Sequence, residues 1–240
     1  YMIFDNKNKQ INKKIYWQMT AHNHTDSFEE TAEKVRFLLS DAIKRQLVSD
    51  YPVGTFLSGG IDSSIISSVA NEEYKKTGKI LDTFSLDYKG NDIYFKASAF
   101  QPSSDTEYIY RMQQYLGCNG HWCVLEQDDV ADALYDSVCA RDLPSMADID
   151  SSMLLFCKDI SRYVKVALSG ECADEIFGGY NIYAEPYTVS WYYKIPYFIR
   201  KTLGIIAYPL RGHRGFNFIV RRGKKLEDRY VGNAFIYDND

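Results

Sequence analysis

The chain has 240 residues, 45% hydrophobic and 25% charged, with a formal net charge of −4 at pH 7. These are the proportions of one large globular domain or of a domain with an appendage, and they give no general reason to expect a nucleic-acid surface. No run is long enough to cross a membrane, and residues 1–12 do not resemble a signal peptide, so the five cysteines read as reduced thiols in a cytoplasm.

Along the chain, "MIFDNKNKQINKKIYWQ" reads as a trailing strand and linker, which suggests a piece of a longer protein. Asp26–Leu47 carries a helical pattern, with Val35, Leu38, Leu39, Ala42 and Ile43 forming an apolar stripe behind the capping start "TDSFEE". Val53–Leu57 has the length and β-branched content of a buried strand, and Ile61–Ala70 has the apolar spacing of a helix. Between them lies "TFLSGGIDSS", which places small and flexible residues at a helix N-terminus. Backbone N–H groups there lack intrahelical partners, and the positive end of the helix dipole favours an anion, most often phosphate. Gly59 and Gly60 allow close backbone approach, while Ser58, Ser63 and Ser64 add hydroxyl donors.

A Walker A loop has lysine before its serine or threonine; this loop has Asp62 instead. Aspartate beside a polyphosphate repels it unless a divalent cation intervenes, so Asp62 reads as a Mg²⁺ ligand. The plainer alternative is a Ser/Gly turn with an acid near a helix start.

"LDTFSLDY", Leu81–Tyr88, is a second strand, followed by a polar stretch to Ser104 and a helix over Thr106–Leu116. "CNGHWC" offers Cys118, His121 and Cys123 as three zinc ligands without a clear fourth. His121–Leu125 also reads as a strand, with alternate side chains on opposite faces, and core packing is the better reading. Asp128–Cys139 and Ser151–Tyr163 read as helices, and Val164–Ser169 as another buried strand. Strands alternating with helices imply parallel pairing: the expected fold is α/β, a doubly wound parallel sheet with ligands at the carboxyl ends of its strands. From Pro186 the texture becomes aromatic and irregular. Its basic run, Arg211–Lys225, reads as a solvated face or a contact for another part of the protein, ahead of RNA binding.

"ALSGECADEIFGGY", Ala167–Tyr180, repeats the logic of the first loop: a buried strand ends in Ser169 and Gly170, and Glu171, Asp174 and Glu175 follow with no basic neighbour in sequence. Both strand ends are expected on one edge of the sheet, with Asp62 and Asp174 clamping Mg²⁺ on a polyphosphate.

At these residues the chain resembles a known family. "SGGIDSS" resembles the pyrophosphate loop of the N-type ATP pyrophosphatases, and "LSGECADEIFGGY" the second signature of glutamine-hydrolysing asparagine synthetases. "SDYPVGTFLSGGIDSS" and "DTFSLDY" fit the same family in the same order, and "LEDRYVGNAFIY" resembles a segment of its longer bacterial members. The resemblance implies a sheet of the adenine-nucleotide α-hydrolase-like type. It also implies residues 1–25 as the end of an N-terminal glutaminase domain, 26–185 as the synthetase domain and 186–240 as a truncated helical extension.

The implied chemistry is adenylation of the aspartate β-carboxylate by MgATP, then displacement of AMP by ammonia from the glutaminase domain of the same polypeptide. Ser58, Gly59, Gly60, Asp62, Ser63 and Ser64 would hold the departing phosphates, with Asp62 and Asp174 on Mg²⁺. Leu57 and Ser169 would flank the nucleotide, the backbones of Phe56 and Leu86 would recognise adenine, and Gly170 would lie against ribose or adenine. Glu171 would take a proton from ammonia or orient aspartate. Cys172 stands where the family more often has glycine, and Asp87-Tyr88 where it has small residues. A β-lactam or carbapenam synthetase, another adenylating amide synthetase, and a non-catalytic nucleotide-binding module remain alternatives. The resemblance also allows a homodimer of the full-length protein.

Overall fold

The computed structural model describes residues 1–20, 22–96, 104–144, 146–180, 190–213 and 215–224. These fall into two compact units, Tyr1–Ser169 and Gly170–Asp240. The first unit opens with a hairpin in place of the expected single strand and linker: β1 (Met2–Asp5) runs antiparallel to β2 (Gln10–Lys13), with Met2 opposite Lys13. The reversal comes from Asp5, whose Oδ1 accepts hydrogen bonds from the Lys7 and Asn8 N–H groups at 2.9 and 3.3 Å. Such a side-chain turn needs no glycine. Lys9 closes it at φ +54°.

α1 (Phe28–Gln46) begins at Ser27, one residue after the expected Asp26. Ser27 Oγ accepts from the Glu30 N–H, and Glu30 Oε2 accepts in return from the Ser27 N–H, a reciprocal capping box. Of the expected stripe, Leu39 and Ile43 pack inward with Leu47, whereas Leu38 is 63% exposed. The contact is a narrow i, i+4 ridge, which leaves Leu38 on its flank.

Four parallel strands form the central sheet in the order β5-β4-β3-β6: β3 (Val53–Phe56), β4 (Asp82–Tyr88), β5 (Asn119–Leu125) and β6 (Val166–Leu168). The chain steps outward from β3 to β4 and β5, then returns past β3 to β6. Right-handed crossovers therefore place α2 (Ile61–Lys76) and α4 (Thr106–Leu116) on one face and α7 (Ala147–Ile160) on the other. The core agrees. Phe84, Cys123 and Leu125 pack with Phe156 and Ile160 of α7, while Val53 and Leu168 pack with Ile43, Ile66 and Val69. This is the doubly wound α/β sheet expected from the alternation of elements.

Short α3 (Asn91–Tyr94) follows β4. The helix expected over Asp128–Cys139 is two, α5 (Gln127–Asp132) and α6 (Leu134–Arg141), bent at Ala133 with ψ −3°. α7 starts at Ala147, four residues before the expected Ser151, because its first turns are buried through polar groups. Ser151 Oγ donates to the Ala147 carbonyl at 3.0 Å, and Arg141 Nη1 meets Asp150 Oδ1 at 2.5 Å.

The described residues of the second unit form α8 (Ala173–Phe177), α9 (Ser190–Tyr193), α10 (Tyr197–Ala207), a 3₁₀ turn (Tyr208–Leu210) and α11 (Phe216–Gly223). α10 and α11 meet at glycine: a Cβ on Gly204 would stand 3.2 Å from the Gly223 Cα. Arg200 Nη1 donates to the Arg222 carbonyl at 2.9 Å across the same contact. The segment "LEDRYVGNAFIY" lies outside the described residues.

Gly54 of β3 faces α7, where a Cβ would overlap the buried ring of Phe84 and stand 3.0 Å from the Asp82 carbonyl. Gly54→Ala should lower stability to urea denaturation by about 1–3 kcal/mol. Gly212→Ala, where a Cβ meets nothing within 4 Å, should leave the midpoint unchanged. Equal midpoints for the two variants would refute this packing of β3.

Candidate functional site

The exit of β3 is fixed before the loop begins. Leu57 is buried, its N–H donates to the Phe84 carbonyl at 2.8 Å, and its own carbonyl accepts from Ser85 Oγ at 2.7 Å. Thr55 and Ser67 hydroxyls, 2.8 Å apart and both fully buried, tie β3 to α2. The loop is then laced to the first turn of α2. Ser63 Oγ accepts from the Ser58 N–H at 3.1 Å, lies 3.0 Å from Ser58 Oγ, and donates to the Gly60 carbonyl at 3.2 Å.

Gly59 has φ +81°, and a Cβ on it would stand 3.0 Å from both the Asp105 carbonyl and Tyr108 Cβ at the start of α4. Conformation and space both demand glycine there. Gly60 is the N-cap of α2 and supplies no capping side chain. Among the described residues, the N–H groups of Ile61, Asp62 and Ser63 therefore have no protein acceptor. Three unfilled donors at the positive end of a 16-residue helix suit an anion. Asp62 is exposed in that first turn, and Ser64 is half-buried.

The neighbouring strands end on the same edge. Phe56 pairs in register with Phe84, and its half-buried ring lies 5.0 Å from that of Phe156. Leu86 packs against the same core cluster. Leu168 is opposite Thr55, so Ser169 stands one step on, level with Phe56. Phe56–Ser64, Leu86 and Ser169 are thus gathered at the carboxyl edge where the strand order reverses, the position at which open α/β sheets hold ligands.

Asp87 and Tyr88, unassigned in the sequence reading, fasten this edge. Asp87 Oδ1 accepts from the Tyr88 N–H and from Asn91 Nδ2, both at 2.8 Å, and the Tyr88 hydroxyl donates to Ser152 Oγ of α7 at 2.9 Å. The turn residues of "DYKGN", with Gly90 at φ +80°, are the signal for the first of these contacts. Ser85 left no such signal, since one buried serine in a strand resembles any other.

Cys118, His121 and Cys123 are engaged separately. Cys118 Sγ is 3.5 Å from Thr83 Oγ1, His121 Nε2 is 2.8 Å from Asp82 Oδ1, and Cys123 belongs to the core. Burial, with Asp159 adding to it, pushes the Cys123 thiol up to about 11.

Gly170, Glu171 and Asp174 belong to the second unit. Glu171 and Asp174 are exposed. The turn into α8 passes through Cys172 at φ +69° and ends at Gly178 with φ +70°. The Gly179 N–H donates to the Asp174 carbonyl at 2.9 Å, and the Asp174 carboxylate occupies the space that a Cβ on Gly179 would need. Glycine at 179 is what leaves that carboxylate its place.

A left-handed cysteine costs about 1–2 kcal/mol, of which glycine would return part against its greater backbone entropy. Cys172→Gly should therefore slow hydrogen exchange of the Ala173–Gly179 amides and Cys172→Val should speed it. The reverse order would show that Cys172 is unstrained.

The chain matches the family described as asparagine synthase over residues 34–232. It is 54% identical to asparagine synthetase (glutamine-hydrolyzing) 3 of Bacillus subtilis over 166 residues, covering 69% of this chain and 27% of that protein. It is 36% identical to asparagine synthetase (glutamine-hydrolyzing) 1 of the same organism over 230 residues, covering 95% and 34%. A putative asparagine synthetase (glutamine-hydrolyzing) of Mycobacterium tuberculosis is 30% identical over 210 residues, covering 87% and 30%. The chain spans about a quarter to a third of the length of these relatives. The solved NAD+ synthetase of Burkholderia pseudomallei gives a TM-score of 0.32 at 14% identity, covering 61% of this chain and 70% of that one, and adds nothing to the assignment. With most of its length matched, and the strand, loop and helix in the order its motifs require, the chain belongs to the asparagine synthase family.

Proposed function

We propose that this chain carries the ATP-dependent step of asparagine formation. The observation that supports it most is the uncapped start of α2, whose free N–H groups stand behind Ser58–Ser64 at the edge where the strand order reverses. An aspartate β-carboxylate oxygen attacks the α-phosphorus of ATP, and pyrophosphate leaves to the Ser58–Ser64 loop. Ammonia then attacks the acyl carbon of the mixed anhydride, AMP leaves with the bonding pair, and Glu171 takes the surplus proton or orients aspartate. The carboxylate alone is a poor electrophile; adenylation gives it a leaving group.

The residues present suit Mg²⁺ in kind. Asp62 and Asp174 offer exposed carboxylate oxygens, the hard donors Mg²⁺ takes, and no set of three or more such side chains among the described residues could hold a metal by itself. Mg²⁺ normally combines one or two carboxylates with substrate phosphates, so this sparse set is adequate. Bound there, the ion would neutralise charge on the leaving pyrophosphate. The backbones of Phe56 and Leu86 face adenine, Leu57 holds the strand end in place, and Ser169 and Gly170 border the nucleotide.

Ammonia comes from glutamine, hydrolysed by a glutaminase domain of the same polypeptide in the longer protein. Residues 26–185 form the synthetase domain in this reading. All five cysteines are free, which suits a reducing cytoplasm.

Calorimetric titration of the chain with ATP should show affinity that rises with Mg²⁺. In Asp62→Asn, Mg²⁺-dependent affinity should fall by about tenfold, the loss of one charge-assisted contact. Unchanged affinity and metal dependence would remove Asp62 from the metal site. Pyrophosphate release with MgATP and ammonium should require L-aspartate and yield asparagine; ATP binding without such release would keep the loop and reject the substrate.

A further inference from the structure

A cavity of about 610 Å³ opens in the first unit, and none of the residues assigned to the nucleotide and metal site of the adenylation step lines it. Its floor is Trp122, Cys123, Val124 and Leu125 of β5. Consecutive strand residues point to opposite faces of a sheet, so a cavity touched by all four runs along the free edge of the strand. Among the described residues β5 is the last strand in the sheet order, with β4 on one side only.

The hydrogen bonds say which backbone groups are free. The Asn119 N–H donates to the Leu81 carbonyl and the Leu125 carbonyl accepts from the Lys89 N–H, both toward the β4 side. Counting in twos, His121 and Cys123 also turn their N–H and C=O toward β4, and Trp122 and Val124 turn theirs outward. Among the described residues these outward groups have no hydrogen-bond partner, and Val124 is 57% exposed. An unpaired edge of this kind is a template for an added strand.

The lining carries both charges, with acids in excess. Lys158 and Asp159 of α7 and Arg162 in the turn after it line the cavity, as do Asp129 and Asp132 of α5 and Asp136 of α6. Arg162 is already held by Asp159 at 2.9 Å, whereas Asp132 and Asp136 form no ion pair among the described residues. The acids do not converge on a metal position. Cys123 is held as a neutral thiol, so the crevice offers no ready nucleophile. Backbone groups along the floor and unmatched carboxylates in the lining suit an extended chain bearing cationic side chains.

We propose that the free edge of β5 is a docking site for an extended segment of a partner protein with lysine or arginine at alternate positions. The segment adds as a fifth strand, exchanging hydrogen bonds with Trp122 and Val124 and turning its cationic side chains toward Asp132 and Asp136. The site is independent of the adenylation chemistry.

The probe is the capped peptide acetyl-Val-Lys-Val-Lys-Val-Lys-amide, titrated into the ¹⁵N-labelled chain, with its glutamate counterpart as control. Saturable shifts of the Trp122 and Val124 amides are expected with the lysine peptide and none with the glutamate peptide. Val124→Pro removes one outward N–H while sparing the β4 ladder, and should weaken binding at least tenfold. Asp132→Asn with Asp136→Asn should weaken it at least fivefold and flatten its salt dependence. Absence of saturable shifts, or affinity unchanged in either variant, would overturn the proposal. So would spermidine binding the aspartates while the peptide leaves the Trp122 and Val124 amides unmoved. Should Val124→Pro fail to fold, by circular dichroism, the aspartate variant decides alone.

Discussion

The site depends on how β3 ends. A four-residue strand covered on both faces has no water for its backbone, and Leu57, the next residue, carries the last chance to pair before the loop. It takes that chance fully: its N–H donates to the Phe84 carbonyl, and its own carbonyl accepts from Ser85 Oγ. The loop that follows starts from a fixed point and direction. Without that anchor, the donors of α2 would not be held to a single geometry, and preorganised donors are what make a helix start an anion site.

The same interior explains a feature that looks anomalous in a hydrophobic core. Thr55, Thr83 and Ser85 on the strands and Ser67 on α2 are almost wholly excluded from water, at positions where an apolar core takes valine or alanine. Each has a partner: Thr55 with Ser67, Ser85 with Leu57, Thr83 with the Asn119 carbonyl at 3.4 Å. A hydroxyl buried with a partner costs little, and it gives directional contacts between strand and helix that an alkyl group lacks. Here the directional contacts cluster on β3 and β4, the strands that present the loop.

Much of this was legible in the sequence because it rests on local pattern. The short β-branched run at Val53–Leu57, the strand-like run at Leu81–Tyr88, the helical apolar spacing after Ile61 and the glycines of "SGGIDSS" each encode their own structure. What was not legible rests on contacts distant in sequence. Leu38 has the same hydropathy as Leu39, and only the position of β3 and β6 decides which of them is buried. The start of α7 was hidden because Asp150, Ser151 and Ser152 are buried by Arg141 and the Ala147 carbonyl, partners that no apolar period reveals. Asp5 folds β1 back on β2 through a side-chain turn in a stretch that otherwise reads as extended and polar.

The two signature loops solve one backbone problem by different means. Each must turn sharply after a parallel strand, and each places a residue at positive φ: Gly59 at +81° and Cys172 at +69°. At 59 a side chain is excluded twice, by conformation and by the start of α4, so glycine has no substitute. At 172 only the conformational argument applies, and a small thiol is tolerated at some cost. At Gly179 the Asp174 carboxylate lies in the space a Cβ would take, but it is the end of an exposed side chain and can turn aside. A glycine is therefore fixed where its own dihedral and a neighbouring backbone both demand it, as at 59, and is less constrained where only a movable side chain stands in the way. The dihedral can be read from a turn motif; the neighbour requires knowing how the chain packs.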